Sequence, residues 1–313
     1  LFFAAFLMWT YLAGFHPAAY GTEKFMDYGF MEAMMRSSEL PARDLWYSQG
    51  HINYYYGGQY FAVFLTKLSH TKVELTYNLM RTFVAGLAFS MPFSLVYQMM
   101  ADRMKGQQKR EKIRKGIPFA AGFTAGTAVS IAGNMHYVIY AQIIPLIEKL
   151  TGKEVSSYWF PDATRYIGYN PYREEDRTIH EFPCYSFILG DLHAHVVNIM
   201  FVLLILALLY VWLRGVRKKT VSVDVSMKER GFWKEQLLMP HLLVVSVILG
   251  MFQWTNFWDF VIYYTVTLGT VLFANIIRFQ GKIKKIITVT VAQMVEIYLI
   301  AYLVILPFTL QFD

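Results

Sequence analysis

Two carboxylates four residues apart, Glu23 and Asp27, and a D-x-H-x-H run, Asp191, His193 and His195, are the parts of this sequence best equipped for chemistry. At about 100° per residue on a helix, Glu23 and Asp27 share a face with Phe30, Met31 and Met34, while Glu32 and Arg36 pair on the opposite one. A carboxylate set against apolar surface is desolvated and its pKa rises, which suits it to act as a base. The plainer alternative gives Glu23 to the helix dipole and Asp27 to nearby backbone, with Thr22 as the helix cap. Asp191, His193 and His195 project to one side of an extended chain, whereas on a helix only Asp191 and His195 share a face. Two imidazoles and a carboxylate suit a divalent cation, or hydrogen bonds to a phosphate or sugar. A polar cluster satisfied by water is the simpler reading of the same residues.

Other polar groups recur near these. Tyr54, Tyr55 and Tyr56, followed by two glycines and Gln59, offer hydroxyls, ring faces and close backbone approach. With Trp46 they fit a sugar or a lipid headgroup, and interfacial anchoring explains the rings equally well. Arg81 can snorkel to the membrane surface or hold a lipid phosphate. Asn256 and Asp259, beside Trp254 and Trp258, form a further polar group. The segment Arg173 to Arg177 reads as a solvated face, and Glu296 sits inside an apolar stretch, where it must be protonated, paired or turned to a cavity.

The elements that must carry these residues are membrane helices. The chain is 56% hydrophobic and 17% aromatic, with 16% charged residues, far from soluble averages. Apolar windows long enough to cross a bilayer lie near 78–100, 117–140, 196–213, 237–258, 260–277 and 286–306, and residues 1–14 read as the end of another. About seven spans in an all-α polytopic bundle are therefore expected, forming a single integral-membrane domain over 1–313. The sequence opens on Leu1 and stops at Asp313 directly after an apolar run, so it reads as a fragment of a longer chain. Gly122 and Gly126 have the spacing of a close helix contact.

Charge sets the orientation. The links 101–116, 214–236 and 278–285 hold eighteen basic and five acidic residues, whereas the loops 15–77 and 145–195 hold ten and fourteen. The basic links are expected in the cytoplasm and both long loops outside, with surface helices in the first loop. The net charge of +7 is mostly this topology signal and calls for no nucleic-acid partner. One cysteine, Cys184, excludes an internal disulfide and a cysteine-rich zinc site.

The segments EKFMDYGFMEAMMRSSELPARDLWYSQGHINYYYGGQ, FPCYSFILGDLHAH and TNFWDF resemble the YYY-domain membrane proteins of bacteria and archaea, over nearly the whole chain. That family is similar in layout to GT-C glycosyltransferases, multi-span enzymes that use polyprenyl-phosphate sugars at the outer membrane face. The resemblance implies a catalytic acid in the first outer loop, Asp27 before Glu23, although the D-x-D or D-E pair of better-known members is absent here and the two acids are four apart.

The expected function is transfer of a sugar from a polyprenyl-phosphate carrier in the cell membrane. Asp27 would be the base, Asp191, His193 and His195 would steady the phosphate directly or through a divalent cation, and Arg81 would assist. Tyr54 to Tyr56, Trp46, Gln59, Asn256 and Asp259 would bind substrate. The rivals are a lipid or polysaccharide transporter, in which Glu296 would matter more, and a non-catalytic scaffold for envelope assembly.

Overall fold

A computed structural model describes residues 1–21, 23–107, 116–165, 167, 177–218 and 226–312. Thr22 and residues 173–176 lie outside this set, so neither the expected cap nor most of the charged segment is described.

The described chain is helical, with only isolated bridges between Arg43 and His51 and between Ile167 and Thr178. It is a polytopic membrane helix bundle, as the apolar windows require. In order, the helices are α1 (Phe2–Ala13), α2 (Lys24–Arg36), α3 (Gly57–Ser69), α4 (Val73–Gln107), α5 (Gly116–Ser130), α6 (Ile144–Leu150), α7 (Pro183–Leu189), α8 (Ala194–Lys218), α9 (Phe232–Leu237), α10 (Pro240–Thr255), α11 (Phe257–Phe279) and α12 (Ile283–Thr309). A π-helical turn, Val138–Ile143, leads into α6, and a 3-10 turn covers Phe160–Thr164.

Among the described residues four helices are long and apolar enough to cross a membrane: α4, α8, α11 and α12. The other three expected spans are shorter. α10 has 16 residues, about 24 Å at 1.5 Å per residue against the roughly 30 Å of a hydrocarbon core, and the described parts of α1 and α5 have 12 and 15. The 117–140 window is not one helix, because the backbone leaves helical geometry after Ser130. Gly133 sits in that break against the Phe182 ring, and Asn134 Nδ2 donates to the Ala163 carbonyl at 2.6 Å. Apolar composition alone does not register such a break.

Two cores form. One gathers α1, α2, α3, the first half of α4 and the start of α8, around Met31, Met34, Tyr77 and Leu192. The other gathers the rest of α8 with α10, α11 and α12. Helix α8 belongs to both and so couples the halves. Beside the first, α5 lies against α4 through the expected glycines: a Cβ on Gly122 would stand 2.7 Å from the Phe93 carbonyl oxygen, and one on Gly126 2.7 Å from that of Phe89. Backbone cannot yield as a side-chain tip can.

Gly126→Val should therefore destabilise the protein by about 1–3 kcal/mol, the usual cost of overpacking. Gly215→Ala, which meets no neighbour within 4 Å, should not. Thermal unfolding of both variants in detergent checks this, and equal midpoints would refute the close contact.

Candidate functional site

Helix α2 folds with one face inward. Asp27, Phe30, Met31 and Met34 are buried, as its pattern predicts, while Glu23 at its start stays largely exposed. Asp27 has no exposed surface at all. A single amide answers it: Gln59 Nε2, in the first turn of α3, donates at 2.9 Å both to Asp27 Oδ1 and to the Leu192 carbonyl. Burial pushes the Asp27 pKa up to about 7, against the opposing pull of His193 and Gln59.

The imidazoles reach the same place from α7 and α8. Helix α7 begins on Pro183 and stops at Gly190, whose φ of 80° is left-handed. Asp191 to His193 are extended and α8 starts at Ala194, so His193 lies just before the helix and His195 in its first turn. His193 Nε2 stands 3.2 Å from Glu23 Oε2, without the alignment of a hydrogen bond, and 3.7 Å from Asp27 Oδ2. Its other nitrogen, Nδ1, faces Glu181 Oε2 at 3.9 Å, and His195 Nε2 meets the same oxygen at 3.1 Å. Burial alone would lower the His193 pKa. Glu181, Asp27 and Asp191 outweigh it and bring the pKa up to about 9. The two imidazoles hold the Glu181 carboxyl far below the usual carboxylate range.

A cavity of about 600 Å³ opens beside this cluster. Glu23, Tyr54, Asp191, His193 and His195 line it, and Glu181 and Arg165 join them. Asp27 does not line it. It sits directly behind His193, which separates it from the opening.

The ligand set also differs from the expected one. Glu181, His193 and His195 each offer a ligand atom, all within 4.8 Å of one another, and Asp191 is not of that group. Asp191 is buried and acts electrostatically on Lys24, Arg81 and Tyr77. One imidazole nitrogen facing the ligand group and the other facing carboxylates is the arrangement that orients metal-binding histidines. The three side chains thus fit a divalent cation.

The remaining expected residues divide. Tyr55 stacks on Phe257 and Phe312, and Tyr56 packs on Trp254 and Phe308, so neither ring faces the cavity. Trp46 is 59% exposed and meets Phe25 and Phe30 edge-on. Gln59 is a brace and lines nothing. Arg81 neither snorkels nor opens to the cavity: its guanidinium is buried and donates to the carbonyls of Ala13, His16 and Gly190 at 3.2–3.4 Å. Asp259 accepts from Asn198 at 2.6 Å and from Asn256 at 2.8 Å, and Thr255 donates to Asn198 at 2.7 Å. That network is separate from the cavity.

Two residues on the cavity wall were missed. Glu181 stands immediately before the quoted FPCYSFILGDLHAH segment, and its distance along the chain from His193 and His195 hid it. Arg165 carried no signal. Its guanidinium lies 4.7 Å over the Trp159 ring, with Nη1 buried and lacking a hydrogen-bond partner among the described residues.

The family comparison bears on the whole chain, for residues 1–313 match the model described as uncharacterized membrane protein (DUF2298). The chain belongs to that family. No curated protein and no solved structure gives a significant match. This DUF2298 chain is therefore a multi-pass membrane protein whose site rests on its own geometry.

The Gln59 brace makes a direct expectation. Gln59→Leu leaves a buried carboxylate and a carbonyl without their donor, and should cost about 1–3 kcal/mol. Combining it with Asp27→Leu should cost less than the two single changes together. Thermal unfolding of the four proteins measures this, and strict additivity would show that Asp27 and Gln59 do not act as a pair.

Proposed function

We propose that this protein transfers a sugar from a polyprenyl-phosphate carrier to a hydroxyl acceptor at the extracytoplasmic membrane face. The observation that carries the reading is the meeting of α2, the segment before α7 and the start of α8 in one cavity of about 600 Å³. Its wall combines three carboxylates, two imidazoles and a guanidinium whose buried Nη1 has no hydrogen-bond partner among the described residues.

In this reading Glu23 is the base, because it faces the cavity whereas Asp27 does not. The acceptor oxygen attacks the anomeric carbon and its proton passes to Glu23. The bond from that carbon to the phosphate oxygen breaks, with the electron pair remaining on the phosphate. Arg165 receives the departing phosphate, and Tyr54 offers the sugar a ring face and a hydroxyl. Burial, with Asp27 and Glu23 adding to it, pushes the Tyr54 pKa up to about 12, so that hydroxyl stays protonated and donates.

Glu181, His193 through Nδ1, and His195 would hold a divalent cation, which when bound supplies positive charge near the leaving phosphate. Asp27 takes the supporting part. It holds His193 from behind, and Gln59 holds Asp27.

A different observation favours transport: Glu296 Oε2, in α12, is buried with no hydrogen-bond partner among the described residues. Both readings meet in one experiment. Proteoliposomes of the full chain are given radiolabelled polyprenyl-phosphate sugar, and both transfer and translocation are counted. Glu23→Gln and Arg165→Met should each lower turnover by about a hundredfold or more. His195→Ala should weaken manganese or zinc binding at least about tenfold. Wild-type transfer in the Glu23 and Arg165 variants would refute the assignment, and translocation without transfer, lost in Glu296→Gln, would establish the transporter.

A further inference from the structure

A second cavity, of about 570 Å³, lies where the last turns of α8, the α9–α10 junction and the end of α11 come together. From His195 to Gly215 along α8 is about 30 Å at the helical rise, so the two cavities stand one hydrocarbon thickness apart. This one is at the end that carries the basic links.

Arg278 projects into its wall. Its guanidinium donates to Asn275 Oδ1 at 3.2 Å and to Gln236 Oε1 at 2.5 Å, both neutral acceptors. Among the described residues no carboxylate lies within ion-pair distance of it. Asn275 is itself fixed, donating to Thr290 at 3.0 Å and to Gln293 at 2.8 Å, and Gln293 donates onward to the Gln236 carbonyl at 2.9 Å. This buried amide network aims the guanidinium without neutralising it. His241 and Gln236 line the same cavity, as does one acid, Glu235, and the rest of the wall is apolar, with Trp212, Val216 and Met239.

We infer that this cavity binds an anionic membrane phospholipid, with its phosphate on Arg278 and an acyl chain along Trp212 and Val216. A planar guanidinium with free N–H groups matches phosphate oxygens. Basic pockets between membrane helices at the cytoplasmic side take such headgroups. The apolar wall distinguishes a lipid from a small anion, which would leave that surface uncovered. Glu235 limits affinity by repelling the same phosphate. The inference is independent of the sugar-transfer reading, which concerns the opposite end of α8.

Native mass spectrometry of the purified full chain, released from mild detergent with added phosphatidylglycerol or phosphatidylcholine, tests it. Wild type should retain one phosphatidylglycerol at least about tenfold more often than phosphatidylcholine. Arg278→Gln should abolish that preference and Glu235→Gln should strengthen it. Should Arg278→Gln fail to fold, His241→Ala should weaken the preference and Arg278→Lys should largely keep it. Equal retention of both lipids by wild type, an unchanged preference in Arg278→Gln or, if that variant fails to fold, in His241→Ala, or displacement by an equimolar amount of inorganic phosphate would overturn the inference.

Discussion

The site depends on one buried contact, in which the Gln59 amide is shared between the Asp27 carboxylate and the Leu192 carbonyl. A carboxylate removed from water costs several kcal/mol unless it is bonded. That cost makes the contact selective. Only the arrangement that brings α2, α3 and the α7–α8 link together satisfies it, and this same arrangement sets His193 against Asp27 and Glu23. The imidazole is thereby held on one side by carboxylates, leaving its other nitrogen to Glu181.

A second polar tie fixes the link from above. Gly190 ends α7 in a left-handed conformation, and a Cβ there would collide with the Arg81 guanidinium, which donates to the Gly190 carbonyl. Both the backbone angle and the close approach therefore require glycine. Because Arg81 also holds the Ala13 and His16 carbonyls, the end of α1 and the end of α7 are set by one side chain. A cation that looks like a substrate ligand in sequence is spent on backbone oxygens at the ends of α1 and α7, two of which also accept from the His16 N–H and the Tyr77 hydroxyl.

Helix α8 then relates the two ends of the molecule. It begins at the histidine cluster, shares both cores and finishes at the Arg278 cavity. Amide networks brace both ends, Gln59 at one and Asn275 with Gln293 at the other. In each case a neutral side chain orients a charged one without cancelling it.

What the sequence by itself determined was whatever one element's periodicity reports. Composition was enough for a membrane bundle. The spacing of Asp27, Phe30, Met31 and Met34 was enough for the buried face of α2, and the Gly122 to Gly126 interval was enough for the tight contact with α4. It also picked out His193 and His195. Tertiary structure decided which acid meets those imidazoles, because Glu181 reaches them only after α7 has turned the chain back. It decided that Asp27 stands behind His193, that Arg165 and not Arg81 faces the cavity, and that the helix after Gly116 stops at Ser130. The physical reason is the same throughout. A pattern along the chain records which side of an element avoids water, whereas the partner of a buried charge is fixed by how elements from distant parts of the chain pack, and no local spacing encodes that.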